Sequence, residues 1–299
     1  MSRTSDSVAM DDESRGLVPP VLLGTDGSSA SLNAARWAAY IAESLHVPLL
    51  VVHVLAVPGH RHAAGARPWL HGHHPVDPEP DPTVVVRRTA LIIGTCSAPT
   101  VADPATEIIT GSATAVLVEH SRRARMLVVG AQTAFGERKT GPTTTGVVAR
   151  AYSPVAVWRG APGHPIPRER PVVAAFDGTE STLPALVQGF VLAESLGAAL
   201  EVVHPRWGMP GGRCGAAAVV PPSLIADSTA RIAREHPVVR SSETAVTGPL
   251  AQVLTHRSAT AQLLVIGGRR AAGAIAAPGP AVMSLLRHSR CPVLVCRPR

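Results

Sequence analysis

Aromatic residues make up only 3% of this 299-residue chain, and Lys139 is its single lysine. The scarcity of aromatics removes the stacking side chains on which single-stranded nucleic acid is held. The arginines behind the formal net charge of +7 are scattered over the chain rather than gathered into a stripe, so nucleic acid is not expected as a partner. Long apolar runs are missing too: VPLLVVHVLAV (47–57) is too short to cross a bilayer and is interrupted by Pro48 and His53, so no membrane span is expected. Four cysteines, Cys96, Cys214, Cys291 and Cys296, show neither a disulfide framework nor a CxxC spacing and are read as reduced. Residues 1–17 have no basic start followed by an apolar stretch, which predicts a short disordered tail, not a signal peptide, and a cytoplasmic protein.

The chain does have a repeat. Residues 21–53 (VLLGTDGSSASLNAARWAAYIAESLHVPLLVVH) align without gaps with 172–204 (VVAAFDGTESTLPALVQGFVLAESLGAALEVVH), the Asp-Gly pair at 26–27 recurring at 177–178. ARMLVVG (124–130) and SPVAVWR (153–159) recur as AQLLVIG (261–267) and CPVLVCR (291–297). A repeat of this length means a duplicated domain. The expected division is a tail at 1–17, a first domain at 18–159, a linker at 160–170 and a second domain at 171–299.

Within each half, short apolar runs rich in β-branched residues alternate with longer amphipathic segments, the pattern of βαβ units and a doubly wound parallel sheet. Strands are predicted near 21–25, 49–54, 106–109, 126–129 and 155–158, and near 172–176, 200–204, 238–245, 263–266 and 293–296. The stripes Ala34, Ala38, Ile41, Leu45 and Ala185, Gly189, Leu192, Leu196 are expected to face the sheet. The middle segments, 58–82 and 205–222, are rich in Pro with His or Gly and read as mobile surface loops. The last strand of each half would leave an apolar edge, so 155–158 and 293–296 are predicted to pair about a pseudo-two-fold axis.

Open α/β sheets bind ligands at the carboxyl ends of their strands. Asp26 and Gly27 end the first strand there, where the carboxylate can accept hydrogen bonds from a ligand or cap the helix that follows. Val54 ends the second strand, where its side chain can pack on a planar base or serve the core. Gly130 ends the fourth and opens a loop that can bring backbone N–H groups, and the hydroxyls of Thr143 and Thr144, against phosphate. No GxGxxG, P-loop or GxSxG motif is present, and neither Asp26 nor Asp177 has an evident acid–base partner.

In the strand–DGS–helix opening, the VVHV second strand, the VVG before a Gly-containing loop and the closing PVxVxR strand, the chain resembles the universal stress protein family in tandem. The resemblance implies five-stranded α/β domains of strand order 3-2-1-4-5, dimerisation through the last strand, and in many members ATP held by the first-strand Asp and a loop G-x2-G-x9-G-(S/T). Gly130 matches the first Gly, Thr133 stands for the second and Gly141 matches the third, while Pro142 replaces the hydroxyl residue. In the second half Gly267 and Gly279 match, Arg270 replaces the middle Gly, Pro280 the hydroxyl residue, and Pro205 stands where the first half has Val54. A missing Gly forbids some positive-φ conformations and a Pro removes an N–H donor. The expectation is a stress-response regulatory module, not an enzyme, that binds adenine nucleotide weakly through Asp26, Gly27, Val54, Gly130, Thr133, Gly141, Thr143 and Thr144. In the second half Asp177, Gly267 and Gly279 form a weaker site, and no metal is expected.

The partners so implied are an adenine nucleotide and a protein the sequence does not name, with the halves forming an intramolecular pseudo-dimer and a homodimer left open. Two alternatives stand beside this reading: a fully ATP-binding or ATP-hydrolysing member, and a metal-responsive protein using His60, His62, His71, His73 and His74. The His-rich segment has little to bury, so deleting 60–74 is expected to shift the urea unfolding midpoint only slightly. A large loss of stability reversed by zinc would make it a structural metal site.

Overall fold

The computed structural model describes residues 18–56, 81–97, 99–131, 140–159, 166–206, 221–268 and 277–298. The expected tail, most of both middle loops with the His-rich tract, Cys214, Thr133, Arg270 and the first part of the linker lie outside them.

The first half runs β1 (Val21–Thr25), α1 (Ser29–Leu45), β2 (Leu49–Leu55), α2 (Pro82–Cys96), α3 (Pro99–Ala102), β3 (Ala105–Thr110), α4 (Ala113–His120), β4 (Met126–Gly130), α5 (Pro142–Arg150) and β5 (Val155–Trp158). The second runs β6 (Val172–Ala175), α6 (Leu183–Ser195), β7 (Leu200–Pro205), α7 (Pro222–Glu235), β8 (Ser241–Val246), α8 (Leu250–Arg257), β9 (Leu263–Gly267), α9 (Pro280–His288) and β10 (Val293–Cys296). All ten strands join one sheet in the order β3-β2-β1-β4-β5-β10-β9-β6-β7-β8. Pairing is parallel within each half and antiparallel at the β5–β10 seam. None of the described helices is long and apolar enough to cross a membrane.

Because side chains alternate across a strand, each apolar run feeds two layers. Leu23, Val51 and Val128 join Ala34, Ala38 and Ile41 of α1 and Ala185 and Leu192 of α6 on one side. Leu22, Val52 and Val129 join Val147 and Val148 of α5 and Leu285 of α9 on the other. Both layers continue through the seam into the second half. Cys291 and Cys296 fall in opposite layers, and burial pushes the Cys291 thiol up to about 12. Gly189 lies against the sheet, where a Cβ would come within 2.9 Å of the Ala174 side chain.

One strand start differs from expectation. The apolar pair Val238–Val239 reads as strand, yet β8 begins at Ser241. Pro237 has no N–H to donate, and Val239 N bonds back to the His236 carbonyl, closing a turn that buries Val239 against the core.

The seam has local two-fold symmetry. Val155 lies opposite Val295 and Val157 opposite Val293, with Ala156 facing Leu294 at the axis. Two arginines reciprocate across it: Arg159, just past β5, donates to the Arg287 carbonyl in the last turn of α9 at 2.6 Å, and Arg297, just past β10, donates to the Ala149 carbonyl in the last turn of α5. Each guanidinium meets a carbonyl that its own helix leaves unpaired, at the negative end of the helix dipole. Burial of the six central side chains, at about 1.5–3 kcal/mol for each full valine or leucine, outweighs these two hydrogen bonds, so the arginines fix register more than they supply adhesion. Arg159→Met or Arg297→Met is therefore expected to lower unfolding free energy by about 1.5–3 kcal/mol with an unchanged circular dichroism spectrum. Leu294→Ala, which empties the axis, is expected to cost about 2–5 kcal/mol. Urea titration of the three variants ranks them.

Candidate functional site

At the carboxyl ends of β1, β2 and β4 a cavity of about 140 Å³ opens between the N-termini of α1 and α5. Asp26, Val54, Gly130, Gly141, Thr143 and Thr144 all line it, together with Ser28, Ser31 and Ala131 among others. Sequence spacing thus brings residues from six elements and their connections to one place. Gly27 does not line it: its φ of +77° makes the turn after β1, and a Cβ there would press on Val85 of α2 at 3.1 Å.

Asp26 does not cap α1. That role falls to Ser28, whose hydroxyl accepts from Ser31 N at 3.2 Å. Asp26 Oδ1 accepts from Ser28 N at 3.0 Å in an exposed turn, and Oδ2 has no partner among the described residues. Asp26 is the one ionisable side chain among the described residues lining the cavity. Below it a buried polar group ties the elements together: Thr25 Oγ1 meets Ser31 Oγ and Thr89 Oγ1, both at 3.2 Å, and His53 Nδ1 meets the Thr25 carbonyl at 2.8 Å.

The α5 end combines help and hindrance for an anion. Pro142 occupies the first helical position, where the helix itself loses nothing by the missing N–H, while the N–H groups of Thr143 and Thr144 stay without intrahelical partners. The Thr144 hydroxyl is committed, donating to the Gly130 carbonyl at 3.1 Å, whereas that of Thr143 has no partner among the described residues. Gly130 is required by packing: a Cβ would stand 2.8 Å from the backbone of Ala30. The sequence places this glycine at the head of a loop able to bring N–H groups against phosphate; the close approach present in the structure is that of α1.

The second half uses the same positions differently. Asp177 Oδ1 accepts from Thr179 N at 3.0 Å and from the hydroxyls of Thr179 and Thr182, each at 2.6 Å. These hydroxyls saturate the oxygen that in the first half holds a single backbone bond, and α6 starts at Leu183, three positions later than α1 in the repeat. Phe176, fully buried, replaces the polar Thr25. Gly267 repeats the tight packing of Gly130, here 2.8 Å from Thr182, while Gly279 caps α9 with open space around it. Thr179 and Thr182 engage the second Asp, yet Ser28 and Ser31 stand at the matching positions of the first half, so the residue types alone carry no signal of the difference. Among the described residues no group of three or more His, Cys, Asp or Glu side chains is placed to hold a metal ion.

The model of the universal stress protein family matches residues 18–159 and again 169–297. Universal stress protein Rv2623 of Mycobacterium tuberculosis strain H37Rv is 29% identical over 301 residues, covering 93% of this chain and 96% of that one. Universal stress protein Rv2005c of the same organism is 28% identical over 297 residues with the same coverage. Among solved structures, a universal stress protein from Archaeoglobus fulgidus is similar with a TM-score of 0.66 at 15% identity, over 93% of this chain and 98% of that chain, a likeness of fold.

The two loop glycines separate packing from accident. Gly130→Ala drives a methyl into the α1 backbone and is expected to cost about 1–3 kcal/mol, whereas Gly279→Ala, at an ordinary φ of −61° with nothing within 4 Å, should stay within about 0.5 kcal/mol of the parent. Urea midpoints of the two variants check this.

Proposed function

The chain belongs to the universal stress protein family, and from that premise we propose that it is a stress-response regulatory module of the cytoplasm whose first half binds adenine nucleotide weakly and which acts through contact with a protein partner. The observation that carries this is the unequal state of the two first-strand aspartates. Asp26 is exposed, with one backbone bond on Oδ1 and an open cavity beside it, while Asp177 is half-buried and its Oδ1 takes three bonds from Thr179 and Thr182. A free carboxylate can accept from an exocyclic amine, and the N–H groups of Thr143 and Thr144 at the positive end of α5 suit a phosphate oxygen.

Three features support weak binding. The cavity of about 140 Å³ is below the roughly 300–1,000 Å³ usual for ligand pockets, Pro142 removes one of the N–H donors, and Asp26 contributes a negative charge to a site that would take an anion. Catalysis has little support at this cavity, since Asp26 has no ionisable neighbour among the described lining residues with which to share a proton.

Calorimetric titration of the full chain with ATP is expected to give one site, weakened at least tenfold by Asp26→Ala and unchanged by Asp177→Ala. Two equivalent sites, or loss of binding from the Asp177 change alone, would overturn the assignment of the ligand to the first half. Gly130→Val is unsuitable as a probe because it disturbs α1 before it meets a ligand.

A further inference from the structure

A second cavity, of about 380 Å³, lies at the opposite ends of the same strands, where the turns before β4 and β5 meet the segment after β10. Its lining includes Ser121, Arg122, Arg125, Tyr152, Ser153 and Arg297, and no acidic residue among the described ones. Arg297 comes from the second half, so neither half builds the cavity alone. The centre of β4 separates this cavity from the one at Asp26 by the length of a five-residue strand, about 16 Å.

Two observations suggest an anion. The guanidinium of Arg122 is already oriented: its Nε donates to Glu119 at 2.9 Å, another nitrogen donates to the Tyr152 hydroxyl, and its carbon sits 3.6 Å from the centre of the Tyr152 ring. Arg125 has no hydrogen-bond or ion-pair partner for its side chain among the described residues. Ser153, 9% exposed, lines the cavity as well, but its hydroxyl oxygen has almost no exposed surface and no hydrogen-bond partner among the described residues. The C-terminal ends of α4 and α5 also point this way, each with about half a negative charge, and Glu119 adds a full one beside Arg122; the three guanidiniums still outweigh them.

The duplicated half shows that the fold does not demand these residues. Tyr152 N bonds to Ser121 Oγ at 2.9 Å, and Arg290 N bonds to Ser258 Oγ at 2.9 Å, so the turns superpose in their hydrogen bonding. At the matching positions, however, Arg122 becomes Ala259, Arg125 becomes Gln262 and Ser153 becomes Cys291. Gln262 spends its amide on the linker, donating to the carbonyls of Arg168 and Arg170 at 3.1 and 2.6 Å. The Cys291 neighbourhood is closed by Ser289, which donates to the Cys291 carbonyl at 2.7 Å; Ala151 stands at that position in the first half and offers Ser153 nothing.

We propose that this cavity is a second ligand site, distinct from the one at Asp26, and that it takes a small phosphorylated molecule, its phosphate held by Arg122 and Arg125. Phosphate suits a lining that carries three guanidiniums and, among the described residues, no carboxylate, since the guanidinium fork presents paired N–H groups to two of its oxygens. The volume exceeds that of a bare phosphate and falls in the usual range for small-molecule pockets. The inference does not depend on nucleotide binding at the other end of the sheet.

Pyrophosphate is the probe, titrated calorimetrically into the full chain, with citrate in a parallel arm. The paired change Arg122→Ala with Arg125→Gln installs the residues that the second half carries at these positions, so the thermal midpoint should hold. Pyrophosphate affinity should fall at least tenfold in that variant and stay unchanged in Asp26→Ala. Arg125→Gln alone serves if the pair does not fold, with a fall of at least threefold expected. Failure of the wild-type chain to bind pyrophosphate, preference for citrate, unchanged affinity in the folded arginine variants, or loss in Asp26→Ala would each overturn the proposal.

Discussion

The antiparallel pairing of β5 with β10 is the contact on which the rest of the architecture depends. Each half alone would end its parallel sheet on a strand whose outer edge offers unpaired N–H and C=O groups between two apolar faces. Joining the two edges satisfies those groups and lets both hydrophobic layers run through the whole chain, with Ala156 and Leu294 at the axis. The crossed bonds from Arg159 to Arg287 and from Arg297 to Ala149 then tie each half to the last helix of the other. A one-residue slip at the seam would turn the valines to the wrong layer and carry both guanidiniums away from their carbonyls. Hydrophobic burial supplies the energy and the arginines the register.

Symmetry at the seam makes the asymmetry at the strand ends informative. The turn glycines that follow Asp26 and Asp177 match, Gly27 and Gly178 having φ of +77° and +82°, before the two backbones diverge at the helix starts. What differs as well is which polar groups are already satisfied. Thr182 reaches Asp177, whereas Ser31 at the matching position turns inward to Thr25 and to the Ser28 carbonyl. Thr25 can receive it because the first half keeps a polar residue where the second has Phe176. One apolar substitution in the sheet therefore goes with a carboxylate oxygen held by two hydroxyls, and one polar residue with a carboxylate held by a single backbone N–H.

Much of the fold was legible because parallel strands covered on both faces must be continuously apolar, and the chain writes that pattern twice. The repeated Arg of PVxVxR was legible as a repeat but not as a clasp, since its acceptor is a backbone carbonyl more than a hundred residues away with no side-chain signature. Val238–Val239 misled because apolar character marks burial and not extended backbone, and Pro237 decided between them. At the candidate site, strand-end spacing put Asp26, Val54, Gly130, Gly141 and Thr143 around one cavity. The glycine at 130 was visible while its reason was not: helix approach and ligand approach both demand a missing Cβ, and only the 2.8 Å distance to Ala30 separates them.

Helix α5 links these regions physically. Its N-terminal turn borders the cavity at Asp26, where Thr144 holds the Gly130 carbonyl; its last turn presents Ala149 to Arg297; and the turn that follows carries Tyr152 and Ser153 into the second cavity. Nine residues span only about 13 Å. A cation already sits at the negative end of this short helix, and the positive end still has two backbone donors without intrahelical partners. An anion bound there would complete the same dipole that the seam arginine engages, so a ligand at the strand ends and the junction of the halves act on one rigid element. Such a ligand can alter the junction only if it favours one placement of α5 over another, because coupling between sites is a difference in binding free energy between states and not a matter of contiguity.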